Sequence, residues 1–324
     1  MRTEIGNDIA AAAEYLQAGE LVAIPTETVY GLAANALNED AVLKIYAAKN
    51  RPQFNPLIMH VASFEQAKQY IQDVSVEAEQ LAAAFWPGPL TMLFNKRKNV
   101  PDLVTAGSNR VAIRVPNHPL TLQLLSKIDF PVAAPSANPS GYVSPTTAQH
   151  VYEGLQDKIP YILDGGACGV GVESTIVGWN ENGELELYRL GGIAVEAIEL
   201  VTGKKIKHHK KITDNPNAPG QLKSHYATHT PLYLGTINEL LQEFTGRKIL
   251  LINFQHYHPS ITREQQLLLS PNGDMGEAAK NLFRVLREAD QLQADVILAE
   301  YLPEEGLGRA VNDRLERAQH SMKE

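Results

Sequence analysis

Two cationic residues, Lys49 and Arg51, close a predicted helix and could bind a phosphorylated ligand. They lie in a proline-bounded segment, Lys49-Asn50-Arg51-Pro52. An arginine can hold a phosphate with a planar fork of N–H groups, and a lysine adds a point charge. The alternative is a pair of solvated cations at a helix C-terminus, where positive charge is favoured. The sequence therefore predicts a candidate phosphate site here, with the solvated helix end left open.

Polar, turn-forming segments also follow two predicted strands and open a third. Residues 25–31 (Pro-Thr-Glu-Thr-Val-Tyr-Gly) follow one strand, and residues 136–141 (Ser-Ala-Asn-Pro-Ser-Gly) follow another. Residues 55–57 (Asn-Pro-Leu) open a strand that carries His60. Ligands of open α/β sheets usually bind beyond the strand ends, where loops present polar groups. We therefore expect these segments to line one site together with the candidate phosphate site.

Sequence motifs of several other chemistries do not occur. The chain contains neither GxxxxGK[ST] nor GxGxxG, so any ATP site must be built in another way. Cys168 lies in a glycine-rich segment without an identifiable base, which favours an incidental small residue over a catalytic thiol. Ser136 lacks the GxSxG turn of a nucleophilic serine. The histidines lack partners at metal-ligand spacing, so no metal site of the protein's own is predicted.

Hydrophobic patterning predicts two α/β units joined by a basic segment. The chain has 324 residues, more than the roughly 250–300 that a single core usually supports. Residues 1–203 alternate strand-like and helix-like stretches, which predicts an α/β fold with a mixed sheet. Residues 230–324 repeat the alternation as strand, helix, strand and helix, which predicts a smaller Rossmann-like domain. Between them, residues 204–229 combine lysine, proline and asparagine without apolar periodicity, as a linker does.

Capping residues predict where individual helices begin. Asn38 precedes a helix expected over residues 40–48. Ser144-Pro145 combines a cap residue with a proline at the first helical position, which predicts another helix start. In the second unit the longest helix is expected over residues 275–292.

Charge and cysteine content limit the partners and the compartment. The net charge is -8, which argues against a chain that holds nucleic acid stably. Positive charge is concentrated in residues 204–229, and so short a run favours a solvated linker over an RNA-binding segment. The chain has a single cysteine, an N-terminus unlike a signal peptide and no long apolar run. These features predict a cytoplasmic protein without membrane association.

Five motifs occur in a fixed order along the first 203 residues. They are Pro25-Thr26-Glu27-Thr28-Val29-Tyr30-Gly31-Leu32, Lys49-Asn50-Arg51-Pro52 with Asn55-Pro56-Leu57, Trp86-Pro87-Gly88-Pro89-Leu90-Thr91, Ala134-Pro135-Ser136-Ala137-Asn138 and Gly171-Val172-Glu173-Ser174-Thr175-Ile176. In this order they resemble the YrdC-like family in its two-domain form. The resemblance continues through Ala218-Pro219-Gly220 and His225-Tyr226-Ala227 in the linker, and through Gly306-Leu307-Gly308-Arg309-Ala310, Asn312 and Arg314-Leu315. It implies a twisted mixed-sheet catalytic domain with a deep, concave site, followed by the smaller Rossmann-like domain.

The resemblance also assigns roles to residues of this sequence. The family's KxR and SxN signature falls on Lys49, Arg51, Ser136 and Asn138, with Lys49 and Arg51 as the catalytic cations. The residues implied to bind ATP are Lys49, Arg51, Asn55, Arg110, Ser136, Asn138, Ser144, Arg189, His225 and Tyr226. Those implied to bind threonine are Thr28, His60, Arg114, Ala134 (through its backbone) and Ser174. Mg²⁺ is expected to arrive with ATP.

The implied reaction activates threonine for the modification of tRNA. The threonine amine takes up CO2 from bicarbonate as a carbamate, and the carbamate attacks the α-phosphate of ATP. Pyrophosphate leaves, and threonylcarbamoyl-AMP passes to a tRNA-modifying machinery, with at most transient tRNA contact by this chain. Such a step demands positioning and charge neutralisation rather than a nucleophilic side chain. Because carbamates decompose in water, the linker is expected to close over the site.

Two rival functions remain open at this point. One is carbamoyl transfer from carbamoyl phosphate by a YrdC-like domain, but such chains normally add zinc-finger segments, for which this sequence has too few cysteines. The other is an RNA-binding module without catalysis. Residues 1–203 carry 13 Lys and Arg against 22 Asp and Glu, and that acidic balance counts against RNA binding.

Overall fold

The computed structural model describes residues 2–209 and 226–319, which form two sheets flanked by helices. The strands are β1 (Glu4–Gly6), β2 (Val22–Ile24), β3 (Gly31–Asn35), β4 (Ile58–His60), β5 (Leu90–Asn95), β6 (Arg110–Arg114), β7 (Val132–Ala133), β8 (Tyr161–Leu163), β9 (Thr175–Trp179), β10 (Leu185–Arg189), β11 (Lys207–His208), β12 (Leu232–Leu234), β13 (Ile249–Asn253), β14 (Gln266–Leu268) and β15 (Val296–Ala299). The helices are α1 (Ile9–Gln17), α2 (Glu39–Lys49), α3 (Phe64–Ala67), α4 (Val76–Phe85), α5 (Asp102–Thr105), α6 (Pro119–Lys127), α7 (Ala148–Leu155), α8 (Val195–Thr202), α9 (Ile237–Glu243), α10 (Met275–Gln291) and α11 (Gly308–Ala318). Within the described residues, no helix combines the length and apolar character needed to cross a bilayer.

The sheet of the first unit mixes parallel and antiparallel pairs, as the sequence predicted. Within residues 2–209 its strand order is β1-β8-β2-β3-β7-β4-β6-β5-β9-β10-β11. The central strands β4 and β6 are parallel neighbours, and their register places His60 opposite Arg114. Both residues lie at the carboxyl ends of their strands, which is where ligand sites of α/β sheets usually form.

This sheet continues beyond the boundary predicted at residue 203. Strand β11 pairs with β10 in parallel, with Lys207 opposite Glu186. Lys204 also forms an ion pair of 2.8 Å with Glu77 of α4. The beginning of the predicted linker therefore belongs to the first unit, because its backbone completes the sheet edge. Residues 210–225 of the predicted linker lie outside the described part of the chain.

The helix starts agree with the sequence in one case and differ in another. Asn38 caps α2 as predicted, and its side chain accepts a hydrogen bond of 3.2 Å from the backbone N–H of Ala41. The prediction that Ser144 caps a helix is wrong, because α7 begins later and its cap is Thr147. The Ser144 hydroxyl is used elsewhere: it donates to the carboxylate of Glu173 at 2.7 Å.

The second unit is a small parallel α/β domain, which confirms the predicted Rossmann-like character. In residues 226–319 the strands lie in the order β12-β15-β13-β14, and every neighbouring pair is parallel. Apolar residues of α10 and α11 pack on this sheet in one buried cluster. Their spacing of three and four residues gives each helix one apolar face.

The two units share buried surface. The apolar cluster of the second unit includes Val29, Val143 and Val172 of the first. Burial of one such side chain contributes about 1.5–3 kcal/mol as an upper estimate. Gly171 has φ +79° and packs so closely that a Cβ there would lie 2.4 Å from Cα of Lys280. Helix α10 thus contacts the backbone of the first unit directly.

Candidate active site

A cleft at the carboxyl ends of β4 and β6 gathers most of the predicted site residues. The predicted residues that line it are Thr28, Arg51, His60, Arg114, Ala134, Ser136, Ser174, Arg189 and Tyr226. All five residues assigned to threonine are among them. Lys49, Asn55, Asn138 and Ser144 are buried but are not part of this lining; Lys49 is the last residue of α2, and the other three lie in loops that contribute to the cleft.

Arg114 joins the loop after β2 to the end of β6. Its Nη1 donates to the hydroxyl of Thr28 at 2.9 Å, and its Nη2 lies 2.6 Å from a carboxylate oxygen of Glu27. The Thr28 hydroxyl also lies 2.8 Å from that of Thr26. All these side chains are buried or nearly so. Their mutual hydrogen bonds fix the positions of the donors and acceptors that face the cleft.

His60 is an uncharged imidazole in the wall of the cleft. Burial, with the positive charge of Arg114 beside it, lowers the pKa of His60 to about 3. Its Nδ1 lies 3.3 Å from the carbonyl oxygen of Ile58, which can only accept a hydrogen bond. Nδ1 is therefore the protonated nitrogen, and Nε2 is left as an acceptor.

Ser174 lies between a hydroxyl and a guanidinium. Its Oγ is 2.7 Å from Oγ1 of Thr91 and accepts from Nη2 of Arg189 at 3.0 Å. Arg189 also donates to the carbonyl oxygen of Ser174 through Nε at 3.1 Å and Nη2 at 2.9 Å. Burial lowers the pKa of Arg189 to about 10, so the side chain remains a cation at neutral pH. Arg189 thus links the threonine-assigned residues to those assigned to ATP.

Arg51 is buried, which excludes the solvated helix end considered from the sequence. Only 8% of its surface is exposed, and its Nη2 donates to the carbonyl oxygen of Pro56 at 3.0 Å. Asn50 ends α2 in a left-handed conformation with φ 52°, and this turn directs Arg51 back toward the strand β4. Burial lowers the pKa of Arg51 to about 10, which still leaves it charged. A buried guanidinium in a cleft wall is suited to binding an anion.

Lys49 holds a loop rather than lining the cleft. Its Nζ donates to the carbonyl oxygen of Ser136 at 2.5 Å and to that of Asn138. The backbone N–H of Ser140 donates to the carbonyl oxygen of Lys49 at 2.8 Å. Burial, and then the charge of Arg51, lower the pKa of Lys49 well below its usual range. An anion in the cleft would favour the protonated amine, so ligand binding and the charge of Lys49 are coupled.

Two buried amide side chains have an oxygen without a hydrogen-bond partner in the described structure. They are Oδ1 of Asn55 and Oδ1 of Asn138. The amide nitrogen of Asn138 donates to the carbonyl oxygens of Pro139 and Tyr142 at 2.9 and 2.8 Å. Buried acceptors are normally satisfied, so a ligand donor or water is expected at these oxygens.

Ser144 and Arg110 differ from the other residues assigned to ATP. Ser144 is fully buried and its hydroxyl faces Glu173, a cleft residue. Arg110 lies at the opposite end of β6 from Arg114, about 13 Å away at the usual rise of a strand. There it lines a separate cavity and donates to the hydroxyl of Tyr188 at 2.8 Å. Its assignment to ATP stays a prediction that the cleft geometry does not support.

Tyr226 lies in the cleft wall at the start of the second described range. It is 1% exposed, and its ring centroid lies 5.3 Å from that of Phe283. Its φ of 69° is uncommon for a residue with a side chain. Burial raises the pKa of Tyr226 to about 12, so it is a neutral phenol at pH 7. The neighbouring His225, also assigned to ATP, lies outside the described residues.

Glu27 and Glu173 are two further residues of the site, within the first and last of the five sequence motifs, that were not predicted from the sequence. Glu27 pairs with Arg114, and Glu173 lines the cleft. The one sequence feature that could have identified them is a carboxylate inside a polar motif that contains glycine. The partner of Glu173 in the second unit, Arg314, is 141 residues away, and no local pattern could link them. Cys168 behaves as the sequence indicated: it is buried, and burial raises the pKa of its thiol to about 12.

Comparisons with known proteins agree over both units. A family model described as "Telomere recombination" (Sua5, YciO and YrdC) matches residues 14–191. A second model, described as "Threonylcarbamoyl-AMP synthase, C-terminal domain", matches residues 193–319.

Individual relatives match along almost the whole chain. Threonylcarbamoyl-AMP synthase of Pyrococcus abyssi is 43% identical, over 96% of this chain and 93% of the relative. The protein of the same name from Bacillus subtilis is 40% identical, over 96% and 92%. The crystal structure of P. abyssi Sua5 complexed with L-threonine superposes with a TM-score of 0.89 at 41% identity, covering 98% of this chain and 97% of that one. With both units matched and a cleft of this composition, the chain belongs to the threonylcarbamoyl-AMP synthase family, in its two-domain form.

Proposed function

We propose that the cleft makes threonylcarbamoyl-AMP from L-threonine, bicarbonate and ATP, and releases pyrophosphate and water. The observation that carries the proposal is the adjacency of two kinds of wall. Hydroxyls and a neutral imidazole, at Thr28, His60 and Ser174, line the same cleft as the buried guanidiniums of Arg51 and Arg189, and Arg189 donates directly to Ser174. A small polar amino acid and a nucleotide phosphate can therefore meet in one place.

The first wall suits threonine. Arg114 is the cation that would pair with the carboxylate of the amino acid, and its position is fixed by Thr28 and Glu27. The Nε2 of His60 can accept a hydrogen bond from the substrate hydroxyl, since the imidazole is neutral. Binding of L-threonine by the related P. abyssi protein supports this assignment.

The second wall suits the phosphates of ATP. Arg51 and Arg189 would neutralise charge as the carbamate oxygen bonds to the α-phosphorus and the bond to pyrophosphate breaks. Lys49 fixes the loop that carries Ser136 and Asn138, so its contribution is largely one of position. In this step a nucleophilic side chain is not required.

Mg²⁺ is proposed here as part of the ATP substrate. The carboxylates at the cleft already have protein partners: Glu27 pairs with Arg114, and Glu173 with Ser144 and Arg314. In the described ranges no three His, Cys, Asp or Glu side chains are grouped so that they could hold a metal ion. Mg²⁺ commonly keeps several waters and binds substrate phosphates, which fits an ion that enters with the triphosphate.

Exclusion of water would protect the intermediate. A carbamate in open water loses CO2, so a closed site favours its transfer to phosphorus. Thr28, His60, Ser174 and Tyr226 are all nearly or fully buried although they line the cleft. A dry wall of this kind also strengthens the attraction between phosphate and guanidinium.

The decisive test is pyrophosphate release by the purified chain. We expect release from ATP only when threonine and bicarbonate are both present, with a product whose mass equals threonylcarbamoyl-AMP. Carbamoyl phosphate in place of threonine and bicarbonate gives no AMP-linked product if the proposal holds, and gives carbamoyl-AMP if the rival carbamoyl-transfer function holds. Salt-dependent RNA binding without threonine-dependent turnover would favour the RNA-binding rival.

The destination of the product follows from its chemistry. A mixed anhydride of a carbamate and AMP is an activated acyl donor, and the proposed acceptor is an adenosine of tRNA, reached through a separate transfer machinery. The net charge of -8 fits transient rather than stable contact with tRNA. A cytoplasmic location belongs to the same proposal.

A further inference from the structure

Helix α11 of the second unit places one arginine inside the first unit. The side chain of Arg314 is 0% exposed, and its Nε lies 2.9 Å from Oε2 of Glu173. Its Nη2 donates to the carbonyl oxygen of Leu190 at 2.8 Å, and its Nη1 lies 2.6 Å from Oδ2 of Asp313. The planar fork of one guanidinium thus joins the second unit to a wall of the cleft.

Glu173 carries this connection toward the ATP-assigned residues. While Oε2 faces Arg314, Oε1 accepts a hydrogen bond of 2.7 Å from Ser144. A second arginine of the same unit, Arg287, donates to the carbonyl oxygen of Val143 at 2.6 Å. The segment that carries Ser144 is therefore held by the second unit directly through Arg287 and indirectly through Glu173 and Arg314.

Tyr226 is held by the same guanidinium. The Arg314 Cζ lies 5.4 Å from the centroid of the Tyr226 ring, and Phe283 of α10 packs against that ring. A left-handed conformation of a non-glycine residue persists only where its surroundings hold it in place. For Tyr226 those surroundings include Phe283 of α10 and Arg314 of α11, together with Gly141 of the first unit, whose carbonyl oxygen accepts from the N–H of Ala227 at 2.8 Å.

Arg314 remains charged in this environment. Burial opposes its charge, but the carboxylates of Glu173 and Asp313 beside it favour the cation, and the pKa of the guanidinium lies above its ordinary value. Removal of one partner of a buried ion pair leaves the other charge uncompensated, so the conformation of Glu173 would then change.

We propose that Arg314 is a positioning residue for the ATP side of the cleft, acting through Glu173 on Ser144 and by direct packing on Tyr226. The inference rests on the proposed function and gives the second unit a role in it. On the threonine side, Arg114 donates to Thr28 and pairs with Glu27, whereas Ser174 follows Glu173 in the chain and bonds to Arg189. Loss of Arg314 acts first on Glu173 and Ser144, so it should weaken ATP binding more than threonine binding.

The experiment measures KM for ATP and KM for threonine separately, by pyrophosphate release, in the full chain. Arg314→Met should raise KM for ATP on the order of tenfold, the scale of one lost charged hydrogen bond, and change KM for threonine less than about twofold on the same scale. Arg309→Met is the matched control. Arg309 lies on the same helix and pairs with Glu196 across the same interface, but neither residue lines the cleft. This control should leave both constants near those of the wild type.

A compensating variant distinguishes positioning from general damage. In Glu173→Gln/Arg314→Met the buried charge is removed, and the Gln carbonyl oxygen can still accept from Ser144, so KM for ATP should recover toward the wild type. Arg314→Lys keeps the positive charge but lacks the planar fork of N–H groups, so its KM for ATP should lie between those of the wild type and of Arg314→Met. This variant replaces Arg314→Met in the experiment if the latter does not fold. Equal rises in both KM values, equal effects of Arg309→Met, or no recovery in the double variant would overturn the proposal. A wild-type chain that lacks threonine-dependent turnover would instead reject the proposed function.

Discussion

The two sides of the cleft are built in different ways. On the side assigned to threonine, side chains bind one another: Arg114 donates to the hydroxyl of Thr28 and pairs with the carboxylate of Glu27. On the ATP side, side chains mostly bind backbone carbonyls, as Lys49 does, or depend on the second unit. Side chains that bind one another fix the positions of the groups that would contact a small substrate. Loops that are held only through their backbone leave their side chains freer to adjust around a larger substrate. Under the proposed function, the first side would set the specificity for the amino acid, and the second would position the nucleotide.

The largest expected effect is the discrimination between threonine and valine as substrates. A site that hydrogen-bonds a substrate hydroxyl discriminates against analogues without it by about 10⁴–10⁵, and His60 and Thr28 supply such groups. We expect serine to compete better than valine in steady-state competition measured by pyrophosphate release. Equal turnover of valine and threonine would remove the basis for assigning this side of the cleft to threonine.

A substitution on the ATP side should reduce catalysis more than stability. Arg51→Ala removes a buried cation from the cleft wall and should lower kcat by about 10²–10³, the cost of one lost charge-stabilising donor. Thermal unfolding and pyrophosphate release should be measured on the same samples. Arg247→Ala, at an exposed position of the second unit, is the control and should change neither. A variant that melts much earlier yet turns over normally where folded would make Arg51 a structural residue.

A conservative change on the threonine side should act on one substrate only. Thr28→Val keeps the shape but removes the hydroxyl that accepts from Arg114. This hydroxyl is assigned to the substrate, and a substrate group left without its hydrogen-bond partner on binding costs about 1–3 kcal/mol, so KM for threonine should rise roughly 5- to 150-fold. KM for ATP should differ from that of the wild type by less than about twofold. Comparable changes in both constants would contradict the separation of the two sides.

The last prediction concerns stability at low pH rather than catalysis. The pKa of His60 is about 3 in the folded protein and about 6.5 in an unfolded chain. Below pH 6.5 the unfolded chain binds a proton that the native one does not, so stability falls by at most about 1.4 kcal/mol per pH unit until about pH 3. His60→Gln should flatten the dependence of the free energy of unfolding on pH in this window, measured by urea denaturation. An unchanged slope would show that His60 is not buried as an uncharged group.

Local sequence patterns determined the elements and part of the site. Asn38 predicted the start of α2, and the alternation of strands and helices predicted both units, because caps and periodicity act over a few residues. The pairing of Lys49 with Arg51 at a helix end predicted a cationic site. Ser144 shows where local patterns fail. A serine followed by proline favours a helix cap, but in the folded chain its hydroxyl donates to the buried carboxylate of Glu173 instead.

Only the tertiary structure determines which charged side chains are buried and which residues pair with them. Arg51 could equally have been a solvated cation, and only its burial against the segment that leads into β4 made it part of a cleft wall. Arg110 and Arg114 are both arginines of β6, but they lie at opposite ends of the strand, so their side chains line different cavities. Glu173 and Arg314 are 141 positions apart in the chain. Burial and long-range pairing depend on how whole units pack, and that information is spread over the chain rather than carried by any one motif.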